Sequence, residues 1–204
     1  MDVLVPFAAA ILSFRLAAEL IRRWHRRRSP ELLAWAASLA CFAAASSGLA
    51  WGAAAGWDDR AFRAYYLFGG LLTAALLGAG SLLRAGVRLA GPLALLYAGL
   101  AIGIAVAMPI DPEVTGEAIP DASAHLDFFP ARAVALVGNI GGTLAAVVVA
   151  LTGLRRRPLG NTAIIAGVAV AAAGSALAGL GGGGGSVFTA IAAALLYAGF
   201  VSRR

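Results

Sequence analysis

Apolar residues run along this chain in long uncharged blocks separated by short clusters of charge. Between Glu31 and Asp58 lie 26 uncharged residues, between Arg63 and Arg84 there are 20, and the blocks Arg88–Asp111 and Arg132–Arg155 each enclose 22. A charge near the bilayer centre costs about 2.5–3.5 kcal/mol on insertion scales, so each block reads as one membrane-spanning helix. The last block, Pro158 to Ser202, holds 45 residues. As one helix it would be about 67 Å long, roughly twice a hydrocarbon core of about 30 Å, and it therefore reads as two spans. Five consecutive glycines, Gly181–Gly185, supply the break, because a helix interior disfavours them.

The first apolar stretch is the reverse of a cleaved signal peptide. Its start is acidic (Asp2), Glu19 interrupts its end, and the arginines at 22, 23, 26, 27 and 28 follow it. It reads as a retained helix. The expected fold is thus an all-α integral membrane protein, one seven-helix domain over 1–204. Its spans are 3–22, 32–56, 63–83, 89–109, 131–154, 159–180 and 186–202, with one substantial loop at 110–130. That loop, entered from Pro109, carries Pro112, Pro120 and Pro130 and is expected to cap one end of the bundle, with a helical turn within Asp121–Leu126.

Composition agrees: 61% of residues are hydrophobic, 13% are charged, and the mean hydropathy is +0.86. A soluble domain has roughly 25% charged residues. All 16 basic residues are arginine. They sit beside spans and not on one soluble face, so the basic character does not indicate nucleic-acid binding. Twelve of the 16 fall in 22–28, 84–88, 155–157 and 203–204, while eight of the ten acids (Asp2, Asp58, Asp59, Asp111, Glu113, Glu117, Asp121 and Asp127) fall at the opposite end. Under the positive-inside rule the arginine end is cytoplasmic, which gives an N-out, C-in multi-pass protein of the inner (plasma) membrane. Trp24, Trp35, Trp51 and Trp57 are expected as interfacial anchors.

RRRSP (Arg26–Pro30) and RRRP (Arg155–Pro158), with SGLAW (Ser47–Trp51) and SALAG (Ser175–Gly179), suggest a parallel 3+1+3 repeat. The seven-helix, N-out layout is similar to that of microbial rhodopsins, which hold retinal through a lysine in the last helix. This chain has no lysine, and a covalent retinal pigment is excluded. The 3+1+3 layout is similar to that of SWEET-like sugar transporters and their PQ-loop relatives in span count alone, since the Pro-Gln dipeptide is missing. No family membership follows from either.

Chemistry-bearing residues are few. Arg15 and Glu19 lie one turn apart in the first span, a spacing that permits an ion pair or leaves both to snorkel toward the interface. Arg63, with Tyr65 and Tyr66, is placed to line a mouth or an interfacial belt. Asn139, in GNIGG, offers an interhelical hydrogen bond or a ligand contact. Tyr197 in the last span completes the candidate set for substrate binding or gating: Arg15, Glu19, Arg63, Tyr66, Asn139 and Tyr197. Glycines at 48, 52 and 56, at 99 and 103, and at 138 and 142 form small-xxx-small tracks for helix packing or for a homo-oligomer.

His125 with Asp121, Asp127 and Glu117 matches no metal motif, and no metal or other cofactor is expected. With His25 and His125 both outside the spans, an intramembrane bis-histidine haem site is excluded. Cys41 stands alone. GxSxG, Walker A, HExxH and dinucleotide motifs are missing, and no enzymatic role is expected. The expectation is a transporter or permease for a small neutral or apolar solute. The alternative is a sensor, receptor-like ligand binder or scaffold for a partner membrane protein.

Overall fold

The computed structural model describes residues 3–116, 118–155, 158–179 and 185–201, and these contain helices and loops but no strand. Helix α1 is Leu4–Arg27, α2 is Pro30–Ala55, α3 is Asp59–Arg84, α4 is Ala90–Ala107 and α5 is Phe128–Thr152. These five are long and apolar enough to cross a membrane. Two further helices follow, α6 Pro158–Gly179 and α7 Gly185–Val201. Most of the expected glycine break, with the tail Arg203–Arg204 and with Asp2, Glu117, Arg156 and Arg157, lies outside the described residues.

Helix ends follow local chemistry. Pro30 at the first position of α2 sacrifices only an N–H that would have no helical partner there. Asp58 caps α3 by accepting from the Ala61 N–H at 2.7 Å. Helix α1 overruns the expected span and ends only at Arg28, which takes the left-handed conformation (φ 53°). The cluster Arg22–Arg28 is therefore mostly helix end, and loop only at its last residue.

Side-by-side contacts run α1–α2–α3–α5–α6–α7 and back to α1, a closed ring of six helices. Helix α4 stands outside it, packed mainly on α3. All six ring helices contribute to one apolar cluster, including Leu16, Trp35, Leu77, Ala146, Ile164 and Ala193. The centre of the ring near its arginine-bearing end is thus filled by side chains. A second cluster, with Phe62, Tyr66, Ile104 and Ala135, fills the acidic end beneath the loop.

Two tryptophans correct the sequence expectation. Trp35 is 1% and Trp57 4% exposed, so both are core residues and not interfacial anchors. The indole of Trp35 fills space beside Gly80, where a Cβ would strike its ring, and the Arg84 guanidinium lies over it at 5.7 Å. Trp51, 65% exposed, keeps the outward position expected of a lipid-facing anchor.

The loop between α4 and α5 caps the acidic end, as its composition suggested, and its fastenings are polar. The backbone N–H of Trp57 donates to the Gly116 carbonyl (2.8 Å) and the backbone N–H of Val114 to the Asp59 carboxylate (3.0 Å). One helical turn, Ala122–His125, falls where the sequence suggested it. Asp121 caps that turn, and the backbone N–H and then the hydroxyl of Ser123 hold its carboxyl below the usual carboxylate range.

Candidate functional site

Midway along α3 the helix widens into a π-helical segment, Tyr66–Leu72, before the α-helix resumes at Thr73. Such a segment leaves carbonyls off the regular ladder, and in an apolar surrounding each needs a donor. Thr73 supplies two, its N–H and its hydroxyl, both to the Phe68 carbonyl, the hydroxyl at 2.7 Å. Neighbouring helices supply the rest. Asn139 of α5 donates its amide to Gly70 (2.7 Å) and to Ala135 of its own helix (2.9 Å). Tyr97 of α4 directs its hydroxyl at both the Leu71 carbonyl of α3 (3.1 Å) and the Val134 carbonyl of α5 (3.0 Å). Ser38 of α2 donates to the Thr73 carbonyl at 2.7 Å. Four helices therefore meet at one irregular turn through side-chain donors. A hydroxyl has one proton, so the two Tyr97 contacts share it.

Close approach makes the node reachable. A Cβ built on Gly138 would overlap the Tyr97 hydroxyl, so only glycine leaves room for that tyrosine between α4 and α5. One turn on, Gly142 of α5 lies against the backbone of Ala74 and Gly78 of α3. The 138/142 track thus serves packing within the chain, as does Gly52, whose face receives Trp57. Gly99 and Gly103 meet nothing within 4 Å.

Beside the node, in the half of the bundle nearer Arg84 and Arg88, an open groove of about 500 Å³ separates α4 from α5. Its floor is α3 (Ala75, Leu76, Gly78, Ala79, Leu82). Its walls are Leu93, Leu96 and Leu100 on α4 and Val137, Gly141 and Ala145 on α5. The lining is almost wholly hydrocarbon. Small residues on α3 and α5 create the depth, and α4, tied chiefly at the Tyr97 hydroxyl and at its C-terminal end, does not close over it.

The six residues singled out from the sequence do not converge. Tyr66 and Asn139 each lie against Gly70 at the node, where Tyr66 is 7% exposed and its ring lies alongside that glycine. Arg63 reaches across to the last turn of α4 and donates to the carbonyls of Ala105 (3.0 Å) and Met108 (2.7 Å), satisfying groups that a helix C-terminus leaves orphaned. It lines no mouth. Tyr197 packs against the ring's central cluster. Glu19 does not pair with Arg15. It accepts instead from Arg22 at 2.7 Å and Arg23 at 3.1 Å, two cations one turn further toward the helix end, and Arg15 is left exposed on α1. One carboxylate with two cations on one side and one on the other goes to the pair nearer the end of the helix, where charge is better solvated.

Tyr97, Ser38 and Thr73 were not among the sequence candidates. A tyrosine alone within an uncharged block was the available signal for Tyr97, and Gly69–Gly70 within a span was the signal for the π segment. His125 presents Nδ1 to the Pro112 carbonyl at 2.8 Å, and among the described residues no three of His, Cys, Asp and Glu are grouped to hold a metal ion.

No family model matches this chain, and no curated protein or solved structure is significantly similar to it.

If the node holds α4 to the ring, Tyr97→Phe keeps the ring's packing and removes both contacts to carbonyls. A loss of about 1 kcal/mol in stability is expected, in the range measured for interhelical hydrogen bonds and somewhat above their mean. Thermal unfolding in detergent measures it, and an unchanged midpoint would show that the hydroxyl contributes nothing.

Proposed function

We propose that this chain is a multi-pass inner-membrane protein that binds a small neutral, apolar molecule drawn sideways from the bilayer into the groove between α4 and α5. The single observation that carries this is the groove itself: about 500 Å³, lined by hydrocarbon, and open along one side of an apolar helix bundle. Binding sites for small molecules are concave and mostly apolar, usually with volumes of roughly 300–1,000 Å³. In this reading α6 and α7 complete seven crossings, the arginine end faces the cytoplasm, and α4 is the linker helix of a 3+1+3 layout, consistent with its place outside the ring.

Ligand binding is favoured over transport, and the reason is the commitment of the polar groups. A pathway lined by Tyr, Ser, Thr and Asn needs those side chains free to meet a solute. Tyr97, Ser38, Thr73 and Asn139 are instead spent on backbone carbonyls, and the ring centre near the arginine end is filled by Leu16, Trp35 and Leu77. The role proposed is that of a non-catalytic, receptor-like binder.

A photoactivatable aliphatic diazirine added to the reconstituted protein tests this reading. Labelling should concentrate on 75–100 and 137–145. Gly141→Leu, which projects into the groove from a position where a Cβ meets nothing within 4 Å, should reduce it several-fold without altering stability. Labelling spread evenly over all lipid-facing residues, or unaffected by Gly141→Leu, would refute the proposal.

A further inference from the structure

Helix α1 turns Ala9, Ala10, Ser13, Leu16, Ala17 and Leu20 into the bundle. Its opposite face is exposed along its length at Leu4, Phe7, Ile11, Phe14, Ala18 and Ile21. Steps of three and four residues between those positions are the spacing of a helix–helix seam, in which a second helix crosses at about 20°. Beside the middle of this seam stands Arg15. It is exposed, lies 11 residues from Leu4 and 12 from Arg27, and has no hydrogen bond or ion pair among the described residues. At about 1.5 Å per residue it sits about 16 Å from Leu4 and about 10 Å from Arg22, where the arginine cluster begins, within the apolar part of α1 where a charge in hydrocarbon is costly.

We infer that this face of α1 docks a transmembrane helix of a partner protein that carries an Asp or Glu at the depth of Arg15, and that Arg15 pairs with that carboxylate. Charge complementarity decides the occupant. Ionisable groups inside membranes pair with one another or face a cavity, and among the described residues no carboxylate reaches Arg15: Glu19 is held by Arg22 and Arg23, Glu31 lies beyond the arginine cluster and accepts from Ser29, and Asp58, Asp59, Asp111, Glu113, Asp121 and Asp127 belong to the other end. A second copy docking by two-fold symmetry brings the same patch, hence another Arg15 and no free acid. Glu19 is shared by Arg22 and Arg23 toward the arginine end, so the charge furthest into the apolar part of this face, Arg15, is without a partner among the described residues.

The test uses the full chain in phosphatidylcholine vesicles with a fluorescent poly-leucine transmembrane helix bearing one central Glu, and its all-Leu counterpart. Energy transfer should report association roughly tenfold tighter for the Glu helix, the scale of a polar interhelical contact in model peptides. Arg15→Leu should abolish that preference, whereas Arg15→Lys should retain most of it. Because position 15 faces outward, Arg15→Leu should leave thermal stability unchanged, separating lost docking from lost folding. Equal association of the two helices, or a preference that survives Arg15→Leu, would overturn the inference. So would Arg15-dependent transfer between copies of the chain, or Arg15-dependent enrichment of phosphatidylglycerol with no preference between helices, which would assign Arg15 to a lipid phosphate.

Discussion

Gly142→Ala is expected to destabilise the bundle by about 2–3 kcal/mol, the upper part of the range for overpacking a tight contact. Only one methyl group is added. It would overlap the carbonyl of Ala74 and approach the Ala75 nitrogen at 2.8 Å, and both are backbone atoms that cannot turn aside as a flexible side chain can. Helices α3 and α5 must separate, and that separation also stretches the Asn139–Gly70 bond one turn away. Gly78→Ala should do nearly the same damage from the other side, since its Cβ would meet the Gly142 backbone. The double variant should cost much less than the sum, because helices already parted accept the second methyl readily. Gly141→Ala is the control, with nothing within 4 Å of the new atom, and should stay within about 0.5 kcal/mol. Reversible unfolding in bicelles gives all four values. Equal stability of the Gly142→Ala and Gly141→Ala proteins would mean that the α3–α5 contact is not the one described.

Arg63→Met should cost about 2 kcal/mol or slightly more. Methionine retains an unbranched apolar stem, so the loss isolates the guanidinium. Arg63 donates to Ala105 and Met108, and leaving buried acceptors without a donor costs about 1–3 kcal/mol. Its positive charge also faces the negative end of the α4 dipole, worth about 0.3–1 kcal/mol more. Lysine at this position should recover only part, because an ammonium on a flexible stem lacks the fork that spans two carbonyls. Amide exchange at residues 104–108 is the local readout, and the outer turn of α4 should lose protection before the rest of the bundle. Unchanged exchange there in Arg63→Met would remove the latch from the account of α4.

The second expectation depends on how α4 is held. It buries the least of the five long apolar helices, with 22% of its most apolar stretch covered, and it is tied by Tyr97 in the middle and Arg63 at the acidic end. A helix fixed at points and not along a face leaves the groove beside it open. The groove is thus a consequence of the same polar contacts that hold the node together.

What the sequence determined by itself is an all-helical chain whose long helices are apolar enough to cross a membrane. The charge-free blocks placed α2, α4 and α5 within about three residues at each end, because the price of a charge in hydrocarbon is local and independent of neighbours. The loop cap and its single turn were legible in the prolines and in Asp121. Asn139 was legible as a donor that needs a partner. The tertiary structure alone decided which helices touch, and with that the meaning of nearly every polar residue. That Tyr97 fits because Gly138 lies opposite, 41 positions later, is a coincidence of two helices in space. That Trp35 is core and Trp51 is not depends on which face α2 turns to α3. That Glu19 chooses Arg22 and Arg23 over Arg15 was open on spacing alone, since i, i+3 and i, i+4 partners exist in both directions along a helix. In a membrane nearly every helix face is apolar, so periodicity marks the inward face only weakly, and the choice falls to backbone approach at glycine and to the carbonyls that need a donor.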